Sequence, residues 1–273
     1  MKGFFNHLLI SLKLTYRNKQ AMIFGYMFPL AFLFIFGSIF HGGGNSFERA
    51  LPQLLALSAL GASCFGLPIT LVTERERGIL RRYRLAPLAE GWFVASTVIA
   101  RFVVVVSSAL MQIILAVWIY HMEIPGRPME LAAAFTATCF AFMGLGLVIA
   151  TIANNTASVQ ALGQSVFMPT IVLGGVGIPL SFLPRWAQHV AVFLPGHYAV
   201  EAMRACGRDA AGLGSATFDL LALALIGGAA CLVASKLFRW ETDQKMEPGY
   251  GWWIGMALVP WIAVGVAADY LGR

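Results

Sequence analysis

The densest cluster of ionisable side chains lies at residues 74–84, Glu74-Arg75-Glu76-Arg77-Gly78-Ile79-Leu80-Arg81-Arg82-Tyr83-Arg84. It holds five arginines and two glutamates in eleven residues. Glu74 and Arg77 are three apart, so helical ion pairing is available. Pro87 would end such a helix. A loop that only fixes membrane orientation needs positive charge but no interleaved glutamates. A mixed-charge helix with a defined stop is suited to ion pairing with a protein partner. Other polar candidates are sparser. Glu201 with Arg204 or Arg208 is an ion pair at helical spacing, or a charged lining at the membrane. His189 and His197 are eight residues apart and share no obvious helical face, which suits ordinary interfacial histidines better than ligands. Gln112 would make a helix–helix hydrogen bond or touch a substrate. Cys64, Cys139, Cys206 and Cys231 form no CxxC or Cys/His pattern and are expected as small buried hydrophobes. The sequence contains no GxxxxGK(S/T) phosphate loop, no HExxH and no GxSxG, so it offers none of the chemistries those motifs support.

The elements that must position these residues are set by composition. The chain has 273 residues, of which 59% are hydrophobic and 12% charged; its mean hydropathy is +0.75. Soluble domains carry about 25% charged residues. Half of that argues against a soluble enzyme, a disordered chain or a nucleic-acid-binding domain and indicates a polytopic, all-α membrane protein. The net charge of +6 then belongs to loops that fix orientation.

A span needs about 20 apolar residues, and the charge-free runs place spans at 21–40, 50–73 and 102–122, with Arg101 snorkelling from the foot of the third. The 54-residue uncharged stretch 131–184 divides into spans at 131–153 and 157–179 about a turn at Asn154-Asn155-Thr156. A sixth lies at 218–238, and a seventh candidate at 249–268 is flanked by Trp252, Trp253 and Tyr270; its alternative is an interfacial helix. Residues 186–200 are too short to span and are broken by Pro195, which fits a re-entrant hairpin. Residues 1–20 are read as an amphipathic helix on the cytoplasmic surface, with Phe5, Leu8, Leu9 and Leu12 on one face. They lack the features of a cleavable signal. With the amino terminus in the cytoplasm, 13 of the 19 Lys and Arg lie inside, which favours that orientation. Gly144, Gly146, Gly174, Gly175 and Gly177 are expected at close helix contacts or kinks.

Residues 74–88 resemble the cytoplasmic motif of type-2 ATP-binding-cassette (ABC) exporter permeases, Glu-(Arg/Lys)-Glu-x-Gly-(Thr/Ile)-Leu followed by basic residues and (Thr/Ala)-Pro. Phe182-Leu183-Pro184, Phe193-Leu194-Pro195-Gly196-His197-Tyr198 and Glu201-Ala202-Met203-Arg204 are similar to that family's re-entrant segment. Phe238-Arg239-Trp240-Glu241 is similar to its landmark after the sixth span. These fall in the family's order over about residues 1–241.

The resemblance implies a cytoplasmic helix at 1–20 and a six-span transmembrane domain at 21–241, with re-entrant outer helices at 182–208 between spans five and six. Residues 249–268, an extra span or interfacial helix, depart from the pattern. The resemblance also implies an inner-membrane permease dimer, with a second copy of this chain as the expected partner, driven by a cytoplasmic ABC ATPase. Mg-ATP would sit on that subunit and no cofactor on this chain. Glu74, Arg75, Glu76, Arg77, Arg81, Arg82 and Arg84 would couple to the ATPase. Gly78 would allow close packing, and Asn154-Asn155 would make a second, smaller contact. Pro184, Pro195, His197, Tyr198, Glu201 and Arg204 would belong to the outer gate. The implied activity is export of an amphipathic, drug-like or lipid-linked cargo, with membrane lipid as neighbour and no nucleic acid. A secondary transporter or channel is the alternative. It calls for intramembrane charge or inverted repeats, and mid-span charge is almost absent from the sequence.

Overall fold

A computed structural model describes residues 2–17, 22–40, 46–79, 90–207, 211–237 and 250–270. Arg81, Arg82, Arg84, Pro87, Arg208 and the 238–241 landmark lie outside the described residues. Among those described, every regular element is helical. In chain order they are α1 (Lys2–Arg17), α2 (residues 22–40), α3 (residues 46–76), α4 (Glu90–Tyr120), α5 (Pro128–Ile152), α6 (Thr156–Val172), α7 (Arg185–Ala191), α8 (Pro195–Arg204), α9 (Thr217–Leu237) and α10 (Tyr250–Tyr270). Among the described residues, five stretches are long and apolar enough to cross a membrane: Ala50–Glu76, Gly91–Tyr120, Pro128–Ile152, Leu213–Leu237 and Gly251–Tyr270. Gly25–Ser38 is a shorter apolar helix.

α3 is the axis of the bundle. Its sequence carries no charge between Arg49 and Glu74, and every residue from Ala50 to Ile69 is buried. Its middle turn, Ala62–Gly66, is π-helical; such bulges loosen the backbone ladder and offer carbonyls to neighbours. Three helices converge there. A Cβ at Gly146 of α5 would lie 2.2 Å from the Ser63 carbonyl oxygen, and one at Gly163 of α6 would lie 2.7 Å from that of Cys64. From α4, Arg101 Nη2 donates to the Gly66 carbonyl at 2.7 Å. Nearer the other end, Gln112 Nε2 donates to Ser58 Oγ at 2.7 Å, so Gln112 makes the helix–helix bond.

Among the described residues, the most extensive helix–helix contact is that of α5 with α9. At the crossing, a Cβ on Gly144 would lie 2.9 Å from the Gly227 carbonyl oxygen, and one on Gly227 would lie 2.8 Å from Ala141 Cα. Small residues are what let two backbones approach this closely in lipid. The cysteines behave as expected: Cys64, Cys139 and Cys206 are buried, Cys231 is half-buried, and all are free thiols.

Several boundaries differ from the sequence reading. The third span begins at Glu90 rather than at residue 102, because residues 91–100 are apolar and continue the helix. The fifth ends at Val172 rather than at residue 179. Beyond it the chain turns through Gly174, Gly175 and Gly177, and Gly175 takes φ +76°, a conformation that favours glycine. α3 continues to Glu76 and stops there. Gly78, at φ +67°, has no atom of the described residues within 4 Å of a would-be Cβ. That φ gives Gly78 a conformational role, and the close packing implied for it has no counterpart among the described residues.

α7 and α8 are short helices joined by a turn at residues 192–194, in place of a seventh long helix, as the sequence suggested. All of Pro195–Val200 is buried against α3, α5 and α9. α10 runs antiparallel to α9. Ala257, Leu258 and Trp261 face Leu145, Val148 and Ile149 of α5 and Leu162 and Val166 of α6 across a small recess. Trp261 Nε1 donates to the Phe193 carbonyl, and Asp269 Oδ1 lies 3.0 Å from His189 Nδ1.

Candidate functional site

Two ends of the bundle collect the polar groups. The motif end carries residues 74–78, Gly91 and residues 153–156. The hairpin end carries residues 121–130, 174–207 and 211–219.

At the motif end, Arg75 is only 5% exposed. It falls four residues after Leu71 and three after Val72, so helical periodicity turns it to the buried face. Its Nη2 donates to the carbonyl of Ala150 at 3.1 Å and to that of Ala153. These carbonyls close the C-terminus of α5, where a helix leaves its last four C=O groups unpaired and carries partial negative charge. Arg75 is thus a C-terminal cap supplied by a neighbouring helix. One residue on, exposed Glu76 accepts a 2.8 Å hydrogen bond from Thr156 Oγ1. Asn155 caps α6, its Oδ1 accepting from Ser158 N at 2.8 Å.

The two segments that the sequence separates by about eighty residues are thereby stitched into one surface. On it, Glu76, Arg77, Gly78, Asn154 and Asn155 are exposed. Arg75 holds that surface from beneath instead of forming part of it. No Glu74–Arg77 ion pair occurs among the described residues, because the helix that would align them ends at Glu76. Glu74 instead lies within electrostatic reach of Arg101 on α4.

Arg101 is the largest departure from the sequence reading. It was expected to snorkel from the foot of its span, but α4 begins eleven residues earlier, about 16 Å along the helix, and Arg101 is 2% exposed. It donates to Gly66 O and to Thr70 Oγ1 at 2.7 Å. Its Nε and Nη1 are buried with no hydrogen-bond partner among the described residues. Intramembrane charge is therefore present, turned inward. The visible signal was a lone arginine between Glu90 and Glu123.

At the hairpin end, a recess of about 410 Å³ is lined by His197, Glu201, Arg204, Ser215 and Asp219, among others. Glu201 and Arg204 form an ion pair. His197 and Asp219 are buried. Tyr198 donates to the Val192 carbonyl, which closes the turn between α7 and α8, and its ring lies 5.2 Å from that of His197. Pro195 is buried at the start of α8, whereas Pro184 is exposed before α7. His189 and His197 do not come together: His189 is exposed and engages Asp269.

Two further ties escaped the sequence. Gln53 Nε2 of α3 donates to Gly175 O at 3.0 Å. The Leu213 N–H donates to Glu130 Oε2 of α5 at 2.8 Å. α5 therefore reaches from the Arg75 cap at one end of the bundle to the polar hairpin end at the other.

Comparison with known proteins matches residues 7–206 to the family model described as ABC-2 type transporter. The chain is 22% identical over 196 residues to the "Putative transport permease YvfS" of Bacillus subtilis, covering 70% of this chain and 79% of that one. It is 23% identical over 146 residues to the "Probable multidrug ABC transporter permease YbhR" of Escherichia coli, covering 53% and 39%. It is 24% identical over 170 residues to the E. coli "Inner membrane transport permease YhhJ", covering 62% and 46%. The match thus spans less than half of these last two proteins. No solved structure matches.

Proposed function

The chain belongs to the ABC-2 type transporter family, as the transmembrane permease subunit of an ABC transporter; from that premise we propose that it is an exporter subunit whose stitched motif end docks the ABC ATPase. The amino terminus and the motif end face the cytoplasm in this reading. The observation that carries it is the joining of residues 74–78 to residues 153–156 by Arg75 and by the Thr156–Glu76 hydrogen bond. A single surface with exposed charge and amide groups can receive a push from a partner; two independent loops would flex separately.

ATP binding draws the ATPase subunits of a permease dimer together and displaces this surface. Arg75 passes the displacement to the end of α5. α5 is locked to α9 through Gly144 and Gly227 and to the π turn of α3 through Gly146. It carries the motion to Glu130 and the Leu213 turn, beside the α7–α8 hairpin. Parting of the hairpins then opens the outward exit for an amphipathic or lipid-linked cargo drawn from the inner leaflet. The "multidrug" in the printed name of YbhR supports this cargo class.

The test replaces Arg77 with Glu together with Arg81→Glu and Arg82→Glu. The expected result is a permease that folds but no longer co-purifies with its ATPase or no longer stimulates ATP hydrolysis. Wild-type ATP-driven transport in that variant would remove the docking assignment.

A further inference from the structure

α4 is tied to α2 and α3 on one side of the bundle. Tyr26 of α2 bonds Ser107, Arg101 bonds α3, Gln112 bonds Ser58 of α3, and α1 packs along it. On its other side α4 faces α5 and α9. The gap between them is a groove of about 570 Å³. It is lined by Val98 and Phe102 of α4, Met143 and Leu147 of α5, and Cys231 and Ala234 of α9, among others.

The groove has the dimensions and chemistry of a hydrocarbon chain. Along α4 it runs from Gly91 to Phe102, and along α5 from Thr151 to Thr136. At 1.5 Å per residue that is about 16–22 Å, enough to take a chain through one leaflet of a hydrocarbon core about 30 Å thick. Three hydroxyls line it, and each is spent on its own helix: Thr136 donates to Ala132 O, Thr151 to Val148 O and Ser235 to Leu232 O, at 2.7–2.8 Å. The groove thus gives water or a polar ligand little to bind. An unfilled apolar gap forfeits dispersion contacts along its walls. It opens sideways beside exposed Ile99 and Phe140, and the same face of α4 continues outward as exposed Val103, Leu110 and Ile114. At the motif end, exposed Trp92 adjoins the lining residue Gly91, and Lys236 adjoins Ser235. An amphipathic ring and a cation at that level suit a lipid headgroup of negative charge.

We propose that this groove between α4, α5 and α9 binds one acyl chain of an anionic phospholipid of the cytoplasmic leaflet, with the headgroup beside Trp92 and Lys236. Only the naming of the leaflet rests on the orientation proposed above. The site holds whatever the cargo is.

The test uses the purified full-length permease in nanodiscs of phosphatidylcholine containing phosphatidylglycerol with a diazirine in one acyl chain. After irradiation, labelled residues are mapped by peptide mass spectrometry. Labelling is expected to concentrate at residues 94–102, 136–147 and 231–235. Unlabelled phosphatidylglycerol should compete, and added phosphatidylcholine should compete far less. Val98→Trp, which fills the groove, should lower labelling of α5 and α9 about tenfold, the loss expected when two methylene groups of the chain are pushed out of contact. Ile114→Trp, on the outer part of the same face, should not. Ala95→Leu is the smaller filling variant should Val98→Trp fail to fold. Labelling spread evenly over Ile114, Trp118 and Leu225, equal competition by phosphatidylcholine, or an unchanged pattern in both filling variants would overturn the proposal. No ATPase is present, so a failure here is separate from a failure of the docking assignment.

Discussion

Arg75 belongs to the charged motif by sequence and to the interior by structure, and the two placements make opposite predictions for Arg75→Ala. Were its guanidinium an ATPase contact, the isolated permease would be indifferent to its loss. As a cap on α5, its removal costs the permease itself. Two hydrogen bonds from a charged donor contribute roughly 1.5–3 kcal/mol each, and a cation at a partly buried helix C-terminus adds up to about 2 kcal/mol. Relief from burying a charge offsets part of this, which leaves about 2–4 kcal/mol. For a chain of this size, 1 kcal/mol corresponds to about 2–4 °C in Tm, so a loss of about 4–16 °C is expected. The assay heats detergent-solubilised permease, with no ATPase present, and follows the monodisperse fraction by size-exclusion chromatography. Arg77→Ala, two residues on and exposed, serves as the matched control and should stay within about 0.5 kcal/mol of wild type. An Arg75→Ala protein as stable as Arg77→Ala would refute the capping argument.

The other predictions use the same heating assay unless stated. Gly146→Ala drives a Cβ to 2.2 Å from the Ser63 backbone oxygen and should destabilise by about 1–3 kcal/mol. Gly228→Ala, with nothing within 4 Å, should be neutral or gain a few tenths from helix propensity; equal behaviour of the two would show that α5 and α3 do not meet at this point. A double-mutant cycle of Gln112→Leu and Ser58→Ala should return a coupling of about 0.6–1.7 kcal/mol, the range for interhelical hydrogen bonds in membranes, and strictly additive effects would mean that the bond is not made. Cysteines placed at Ser11 and at Asp269 should react with an impermeant thiol reagent from opposite sides of the membrane, because α10 ends at the hairpin and α1 precedes the first span. Labelling of both from one side would overturn the direction assigned to α10.

What the sequence revealed followed from where its charges are scarce. Uncharged runs mark the long helices, and the Pro195 break within a short apolar run foretold the α7–α8 hairpin. The errors have the same origin. Treating Arg101 as a boundary cut ten helical residues, 91–100, from the third span, because hydropathy scores an arginine as solvent-seeking whatever it can bond. Arg101 is held inside by the Gly66 carbonyl, which the π turn of α3 presents, and no local pattern announces a π turn. The fifth span was drawn too long for the converse reason: Gly174, Gly175 and Gly177 end α6 by backbone conformation while remaining as apolar as the helix before them. Turn chemistry was visible there, and hydropathy outvoted it.

The motif shows where local reading stops. Its composition and resemblance single out one stretch of chain, and the structure divides the described part of that stretch by orientation. Leu71, Val72 and Arg75 occupy one face of α3, so the helical period that buries two aliphatic residues also buries the arginine. Glu76 and Arg77 fall on the other side. That assignment was available from spacing, but its consequence was not, because the groups Arg75 satisfies belong to Ala150 and Ala153, about 75 residues away. A buried cation needs acceptors, and an unpaired helix terminus needs donors. Each element alone would be a defect at the edge of a membrane, and together they join the motif to the helix that spans the bundle. In the proposed docking reading the arginine acts by being unavailable to the partner: a surface fixed from below would transmit displacement, and the exposed Arg77 and Asn155 beside it would be the groups touched.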